Sequence, residues 1–298
     1  GFPSARLEAA VRAMRPYQWV KNLLTLVPLI ASGALDDALA WSSTLLVFVG
    51  FCTMASGIYL LNDMGDIEAD RGHPRKALRP FASGKLSIAD GLVMAPVLIA
   101  IGVALGWASG ALLAIIAYAV LSLAYNLKLK EQPMVDVFVL ASLYTVRILG
   151  GSLASGHGVS LWLLGFSTFL FLSLALIKRV SELDRLNAET RGMVARRGYY
   201  RQDIAVLQML GIAAAFASAI VLSLYVQSDT ASKLYAQPLL LWGVVPLMLF
   251  WQCRLWLSTA RGYMLDDPIV YAARDWVSWL VFACLVGLVV AADFRFSL

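Results

Sequence analysis

Nine predominantly apolar stretches, at about 22–33, 41–61, 88–107, 110–125, 134–153, 159–177, 204–226, 238–257 and 276–292, take up most of this 298-residue chain. A membrane span needs ~20 such residues, so the pattern predicts a polytopic membrane protein with short connections. Composition agrees: 60% of residues are apolar and 14% charged, where a soluble domain carries about a quarter charged. Mean hydropathy is +0.75. A secreted disulfide scaffold, a disordered chain and a cytosolic dinucleotide-binding enzyme are thereby excluded. The stretches are apolar all round, as buried or lipid-facing helices are, and lack the ~10-residue alternation of barrel strands. The first is short and contains Pro28, so it is expected to tilt or to extend backward through Arg15-Pro16-Tyr17-Gln18-Trp19. Cys52, Cys253 and Cys284 are scattered without CxxC pairing and read as packing residues. Two histidines, His73 and His157, do not make a zinc site.

Basic residues set the orientation. Arg6, Arg12, Arg15 and Lys21 precede or open the first stretch, and Arg71, Arg75, Lys76, Arg79 and Lys85 follow the second. Lys128 and Lys130 follow the fourth, seven basic residues lie between Lys178 and Arg201, and Arg254, Arg261 and Arg274 lie between the last two. The opposite loops hold Lys233 and Arg295, with Asp36 and Asp37 in the first of them. The N-terminus and all even-numbered exits are therefore expected on the cytoplasmic side. Residues 5–15 read as an interfacial helix with Leu7, Ala10, Val11 and Met14 toward lipid. Long polar loops at 62–87 and 178–203 lie four stretches apart, as in two similar four-helix halves with a ninth helix added.

The first loop opens Asn62-Asp63-Met64-Gly65-Asp66-Ile67-Glu68-Ala69-Asp70-Arg71. Continued as a helix at roughly 100° per residue, Asp63, Asp66 and Asp70 fall at about 0°, 300° and 340°, one stripe, with Glu68 opposite. Three carboxylates on a stripe repel unless a positive charge lies among them. Such hard oxygen ligands suit Mg²⁺, which keeps waters and bridges to substrate phosphates. The alternative, acids serving only the solubility of a helix end, runs against the helix dipole. The basic run from His73-Pro74 to Arg79-Pro80 follows, and Lys76 and Arg79 are its candidates for clamping a diphosphate. For any single residue there the rival role is topology alone.

Tyr125 ends the fourth stretch, as an aromatic-belt anchor or a substrate contact. Lys130 and Asp136 follow and are expected to reach one pocket. The second polar loop starts Lys178-Arg179-Val180-Ser181-Glu182-Leu183-Asp184, with its leading charges positive, and ends in a basic and aromatic patch of Arg196, Arg197, Tyr199, Tyr200 and Arg201. That patch equally suits attraction to anionic lipid. Arg147 lies about 16 Å into its span at 1.5 Å per residue. It serves either as a bolt to backbone carbonyls or as a contact for a buried anion.

The pattern Asn62-Asp63-x-x-Asp66-x-x-x-Asp70, followed by Tyr125, Lys130 and Asp136, resembles the UbiA superfamily of intramembrane prenyltransferases over essentially the whole chain. Arg15-Pro16-x-Gln18-Trp19-Val20-Lys21-Asn22, the His73–Pro80 run, Lys178-Arg179-x-x-Glu182 and, more weakly, Asp267-Pro268 through Asp275 resemble its decaprenyl-phosphate phosphoribosyltransferase-like branch. The resemblance implies an all-α membrane protein with nine transmembrane helices in a UbiA-like bundle, a cytoplasmic-side polar cavity, and residues 1–298 as one transferase domain. It implies Mg²⁺-dependent transfer of 5-phosphoribose from phosphoribosyl diphosphate to a polyprenyl phosphate at the inner membrane, with no nucleic-acid partner. Some members carry an N-terminal phosphatase domain, and Gly1 in place of an initiator Met raises the expectation that one is missing here.

On that reading Asp63, Asp66 and Asp70 are the expected metal ligands, with Asn62 fixing their geometry. Lys130 and Arg79 would stabilise the leaving diphosphate, and Lys21, Lys178 and Arg179 would bind the phosphates. Asp136 and Glu182 would orient the cations. Aromatic prenyltransferases of the superfamily are expected to carry a second aspartate-rich motif where this chain has Lys178-Arg179. Exchanging acids for cations removes a metal site and adds direct anion binding. Prenyl transfer from a prenyl diphosphate is the rival enzyme activity. A transporter is disfavoured, because its polar sites would lie near the midplane.

Overall fold

The computed structural model describes residues 2–72, 75–189, 198–265 and 267–293. His73, Pro74, Arg196 and Arg197 lie outside them. The helices, in chain order, are α1 (Phe2–Met14), α2 (Val27–Ala31), α3 (Ala38–Gly65), α4 (Ile67–Arg71), α5 (Ile88–Ala108), α6 (Leu112–Leu127) and α7 (Val135–Ser155). They continue as α8 (Leu161–Glu189), α9 (Asp203–Val226), α10 (Asp229–Leu234), α11 (Val244–Ala260), α12 (Pro268–Arg274) and α13 (Trp276–Asp293). Among the described residues there is no strand.

Among the described residues, seven helical segments are long and apolar enough to cross a membrane: Ala38–Gly65, Ile88–Ala108, Val135–Ser155, Leu161–Leu186, Asp203–Val226, Pro238–Ala260 and Trp276–Asp293. Two of the nine expected stretches fall short of that length. The one expected at 110–125 is the apolar helix α6, of 16 residues. The one expected at 22–33 is a 3₁₀ run, Pro16–Leu26, followed by the five-residue α2. Pro28 supplies no N–H to an α-helical ladder there, which is one reason the segment cannot continue as a regular helix.

Helix starts follow local chemistry. Asp37 caps α3 by accepting from the Ala40 N–H at 3.0 Å. Ser87 and Asp90 form a reciprocal capping box on α5.

The described chain groups into two compact units. The first comprises residues 1–29, 36–126 and 146–157. In it α3 packs along α5 at glycines: a Cβ on Gly102 would stand 3.1 Å from the Gly50 carbonyl oxygen, and one on Gly57 2.7 Å from Ile99 Cγ1. Small residues let helices approach closely where lipid supplies no hydrophobic drive between them. Trp19 Nε1 donates to Ser56 Oγ at 2.9 Å, and that hydroxyl donates to the Met14 carbonyl at 2.8 Å. These bonds pin the 3₁₀ run to α3.

Gly151 on α7 completes the contact, because a Cβ there would lie 1.9 Å from the carbonyl oxygen of buried Thr25. Gly151→Ala should therefore push the 16–26 segment away, costing about 1–3 kcal/mol as overpacking does. A lowered unfolding midpoint in detergent would register it; an unchanged midpoint would place this contact wrongly.

The second unit comprises residues 30–35, 127–145 and 158–298. There α8 lies along α9, with the Trp256 ring of α11 against Gly211. Ser173 Oγ donates to the Gly211 carbonyl at 2.8 Å and accepts from Trp256 Nε1 at 2.9 Å, tying three helices with one hydroxyl.

Candidate functional site

The last turn of α3 carries Asn62 and Asp63, and the helix stops at Gly65. Asp66 stands at the break with φ −104° and ψ 11°, and α4 then restarts. The continuous stripe expected for the three aspartates is thus interrupted. Asp63 and Asp70 are buried, whereas Asp66 is half-buried and, among the described residues, its carboxylate accepts no hydrogen bond. Arg79 joins the buried pair: its Nη1 lies 3.1 Å from Asp63 Oδ1 and 2.8 Å from Asp70 Oδ2. Arg15 Nη2 reaches the same Asp63 oxygen at 2.6 Å, with its guanidinium 4.9 Å from the Tyr59 ring centre. Arg15 has φ 52°, left-handed for a non-glycine residue, where α1 ends and Pro16 begins. This conformation costs about 1–2 kcal/mol, and the bond to a carboxylate that is 2% exposed offsets it.

Deeper in the same unit, Arg147 Nε donates to Asn22 Oδ1 at 2.8 Å, and the guanidinium lies 4.8 Å from the Tyr118 ring centre. Asn22 Nδ2 in turn donates to Cys52 Sγ at 3.2 Å. Arg147 is therefore held by a side-chain amide and an aromatic face. Lys21, in the neighbouring 3₁₀ run, is 8% exposed.

In the second unit Arg179 is completely buried, with Nε 2.6 Å from Asp136 Oδ2 and Nη1 on Glu182. The other Asp136 oxygen accepts from the Tyr199 hydroxyl at 2.5 Å, which itself accepts from the Met134 N–H at 2.8 Å. Burial first, and then the bond to Asp136, push the Tyr199 phenol up, so it stays protonated and remains a donor. Gly198 admits this tyrosine: φ is +67°, and a Cβ would meet the Glu131 carbonyl oxygen at 2.7 Å. Lys178 Nζ lies 3.7 Å from buried Asp267, whose Oδ2 accepts from the Tyr144 hydroxyl at 2.6 Å. Lys130 is half-buried in a 3₁₀ turn and forms no ion pair among the described residues.

Among the described residues, no group of three or more His, Cys, Asp or Glu side chains is close enough to hold a metal by itself. Mg²⁺, however, is usually bound through one or two carboxylates, with substrate phosphates and waters completing the shell. Asp63 and Asp70, facing one Arg79 nitrogen from two sides, fit that smaller donor set, and half-buried Asp66 is the adjoining oxygen donor in sequence. In the second unit Asp136, Glu182 and Asp267 likewise each face a basic side chain.

Of the residues singled out in the sequence, the structure brings Asp63, Asp70 and Arg79 into one contact, and Asp136, Arg179 and Glu182 into another. Asn62 and Tyr125 are half-buried at helix ends, and Lys76 is exposed in the short turn Lys76–Leu78. A cavity of about 1030 Å³ in the first unit lies between α1 and α5; Arg6, Arg12, Lys85 and Asp90 line it and none of the three aspartates does. Sequence reasoning gave no site role to Arg15, Asn22, Tyr199 or Asp267. Their signals were the Arg15–Asn22 run, the basic and aromatic patch holding Tyr199, and the Asp267-Pro268 pair.

A family model described as "UbiA prenyltransferase family" matches residues 23–264. The nodulation protein NoeC of Azorhizobium caulinodans is 37% identical over 284 residues, covering 95% of this chain and 91% of that protein. An uncharacterized protein of Sinorhizobium fredii is 35% identical over 283 residues; the match takes in 94% of this chain but spans only 55% of that relative. The decaprenyl-phosphate phosphoribosyltransferase of Mycolicibacterium smegmatis is 31% identical over 302 residues, with 98% and 94% covered. In fold, the chain is similar to a UbiA homolog from Archaeoglobus fulgidus bound to GPP and Mg²⁺, with TM-score 0.72, 14% identity and coverage of 96% and 99%.

Proposed function

We propose that this chain, which belongs to the UbiA prenyltransferase family and is a multi-pass membrane protein, transfers 5-phosphoribose from phosphoribosyl diphosphate to a polyprenyl phosphate. The reading includes release of diphosphate, Mg²⁺ dependence and placement in the bacterial inner membrane with the N-terminus cytoplasmic. The observation that carries it is the charge pattern after the sixth expected span. Lys178 and Arg179 lead that segment in place of acids for a second metal-bound diphosphate; Arg179 is closed onto Asp136 and Glu182, and Lys178, with 33% of its side chain exposed, is the cation that meets a phosphate. The phosphoribosyltransferase relatives support the same donor and acceptor.

In this reading Asp63 and Asp70, with Asp66 beside them, would hold the metal, which when bound would supply positive charge to offset that of a diphosphate leaving group. Arg79 and Lys130 stabilise the departing diphosphate. Lys21 and Lys178 bind phosphate groups, Asn62, Lys76 and Tyr125 contribute contacts to the donor, and Asp136 and Glu182 fix Arg179. The acceptor oxygen is a phosphate oxygen already anionic at pH 7, so no side chain is required as general base.

Phosphoribosyl diphosphate with Mg²⁺ at about a hundred times its dissociation constant should stabilise the protein by about 2.7 kcal/mol. A geranyl diphosphate control should not. Radiolabelled phosphoribosyl transfer into extracted lipid, dependent on Mg²⁺, completes the test. Stabilisation by the prenyl compound alone would replace this reading with prenyl transfer.

A further inference from the structure

One nitrogen of Arg79 contacts two carboxylates seven residues apart, Asp63 at 3.1 Å and Asp70 at 2.8 Å. Both acids are almost wholly buried, with side-chain exposures of 3% and 4%, whereas the Arg79 side chain keeps 28%. The guanidinium arrives from outside the α3–α4 break, on the residue that ends the turn Lys76–Leu78. The acids are fixed by their helices, and Asp63 is also held by Arg15 at 2.6 Å. The geometry thus pairs a fixed anionic notch with a cation that reaches it from a surface turn.

Arg79 occupies one oxygen of each carboxylate, Asp63 Oδ1 and Asp70 Oδ2, so a divalent ion coordinated by both acids would lie beside its guanidinium. Two cations cannot share the two acids at contact distance without strong repulsion. A diphosphate changes the balance, because it offers the guanidinium a bidentate anionic partner in exchange. We propose that Arg79 competes with the divalent ion for Asp63 and Asp70, so that the ion binds tightly only together with a diphosphate that takes over the guanidinium. This rests on the metal-diphosphate reading above and adds the order it imposes: a bare ion is held off, and ion and donor enter as a pair.

Mn²⁺ alone is the probe, its free concentration read by electron paramagnetic resonance on the purified full chain in detergent. Arg79→Gln should bind Mn²⁺ at least tenfold more tightly than the unsubstituted protein, and Asp63→Asn added to it should abolish the gain. Arg79→Lys, which keeps the charge but not the fork, should fall between them and guards against a glutamine variant that does not fold. Equal or weaker binding by a folded Arg79→Gln protein, where the unsubstituted protein binds Mn²⁺ through Asp63, overturns the competition and leaves the metal reading standing. No Asp63-dependent Mn²⁺ binding in any of the three, with or without phosphoribosyl diphosphate, overturns both.

Discussion

Asp66→Asn is expected to lower phosphoribosyl transfer about 10²–10³-fold, the scale of losing one well-placed electrostatic contact to a transition state, while leaving the unfolding midpoint unchanged. The substitution is informative because of what Asp66 does not do. Its carboxylate accepts no hydrogen bond among the described residues, and it stands at the break between α3 and α4. Replacing one oxygen by an amide removes charge and donor strength at nearly constant shape, so stability gives little of its own signal. Asp63→Asn would be less clean, since Arg15 and Arg79 both depend on that carboxylate. The check is turnover at saturating donor and Mg²⁺, beside a thermal melt of the same preparation. Activity within a few-fold of the unsubstituted protein would remove Asp66 from the metal set and leave Asp63 and Asp70 to carry it.

Arg179→Met should destabilise the second unit by about 3–5 kcal/mol, the usual cost of breaking a buried ion pair from one side. The guanidinium is completely buried and contacts both Asp136 and Glu182. Glu182 keeps 24% of its side chain exposed and can rehydrate, but Asp136 has no exposure and, among the described residues, would retain only the Tyr199 hydroxyl. The double substitution Arg179→Met with Asp136→Leu should recover much of the loss, because it removes both buried charges together. The measurement is denaturant unfolding of both variants in detergent. If the double variant is no more stable than the single one, the pair is not the source of the cost. Arg179 is thus read as a residue that fixes the end of α8, with Lys178 beside it as the phosphate contact.

Helix positions were legible where the solvent enforces them. The stretches read at 88–107, 204–226 and 276–292 match Ile88–Ala108, Asp203–Val226 and Trp276–Asp293 within a residue or so. A lipid interior requires unbroken apolarity and internally satisfied backbone, and both leave a direct trace in the sequence. The failures lie where apolarity persists but the backbone does not. Residues 22–33 are apolar enough, yet the chain there runs as a 3₁₀ segment into a single short helix beginning at Val27-Pro28. Along the aspartate stripe the helix stops at Gly65, yet Asp63 and Asp70 still meet on one Arg79 nitrogen.

By itself, the sequence determined that this chain is a helical membrane protein and that carboxylates and cations gather in two polar segments. Each follows from local composition read against lipid and water. Which charge meets which was decided only by the fold. Arg15 reaches Asp63 across 48 residues and Arg179 reaches Asp136 across 43, while Asp66, three residues from Asp63, joins neither contact. Ion pairing depends on distances of a few ångströms between side chains on different elements, and packing at glycines such as Gly57, Gly151 and Gly198 sets where those elements lie.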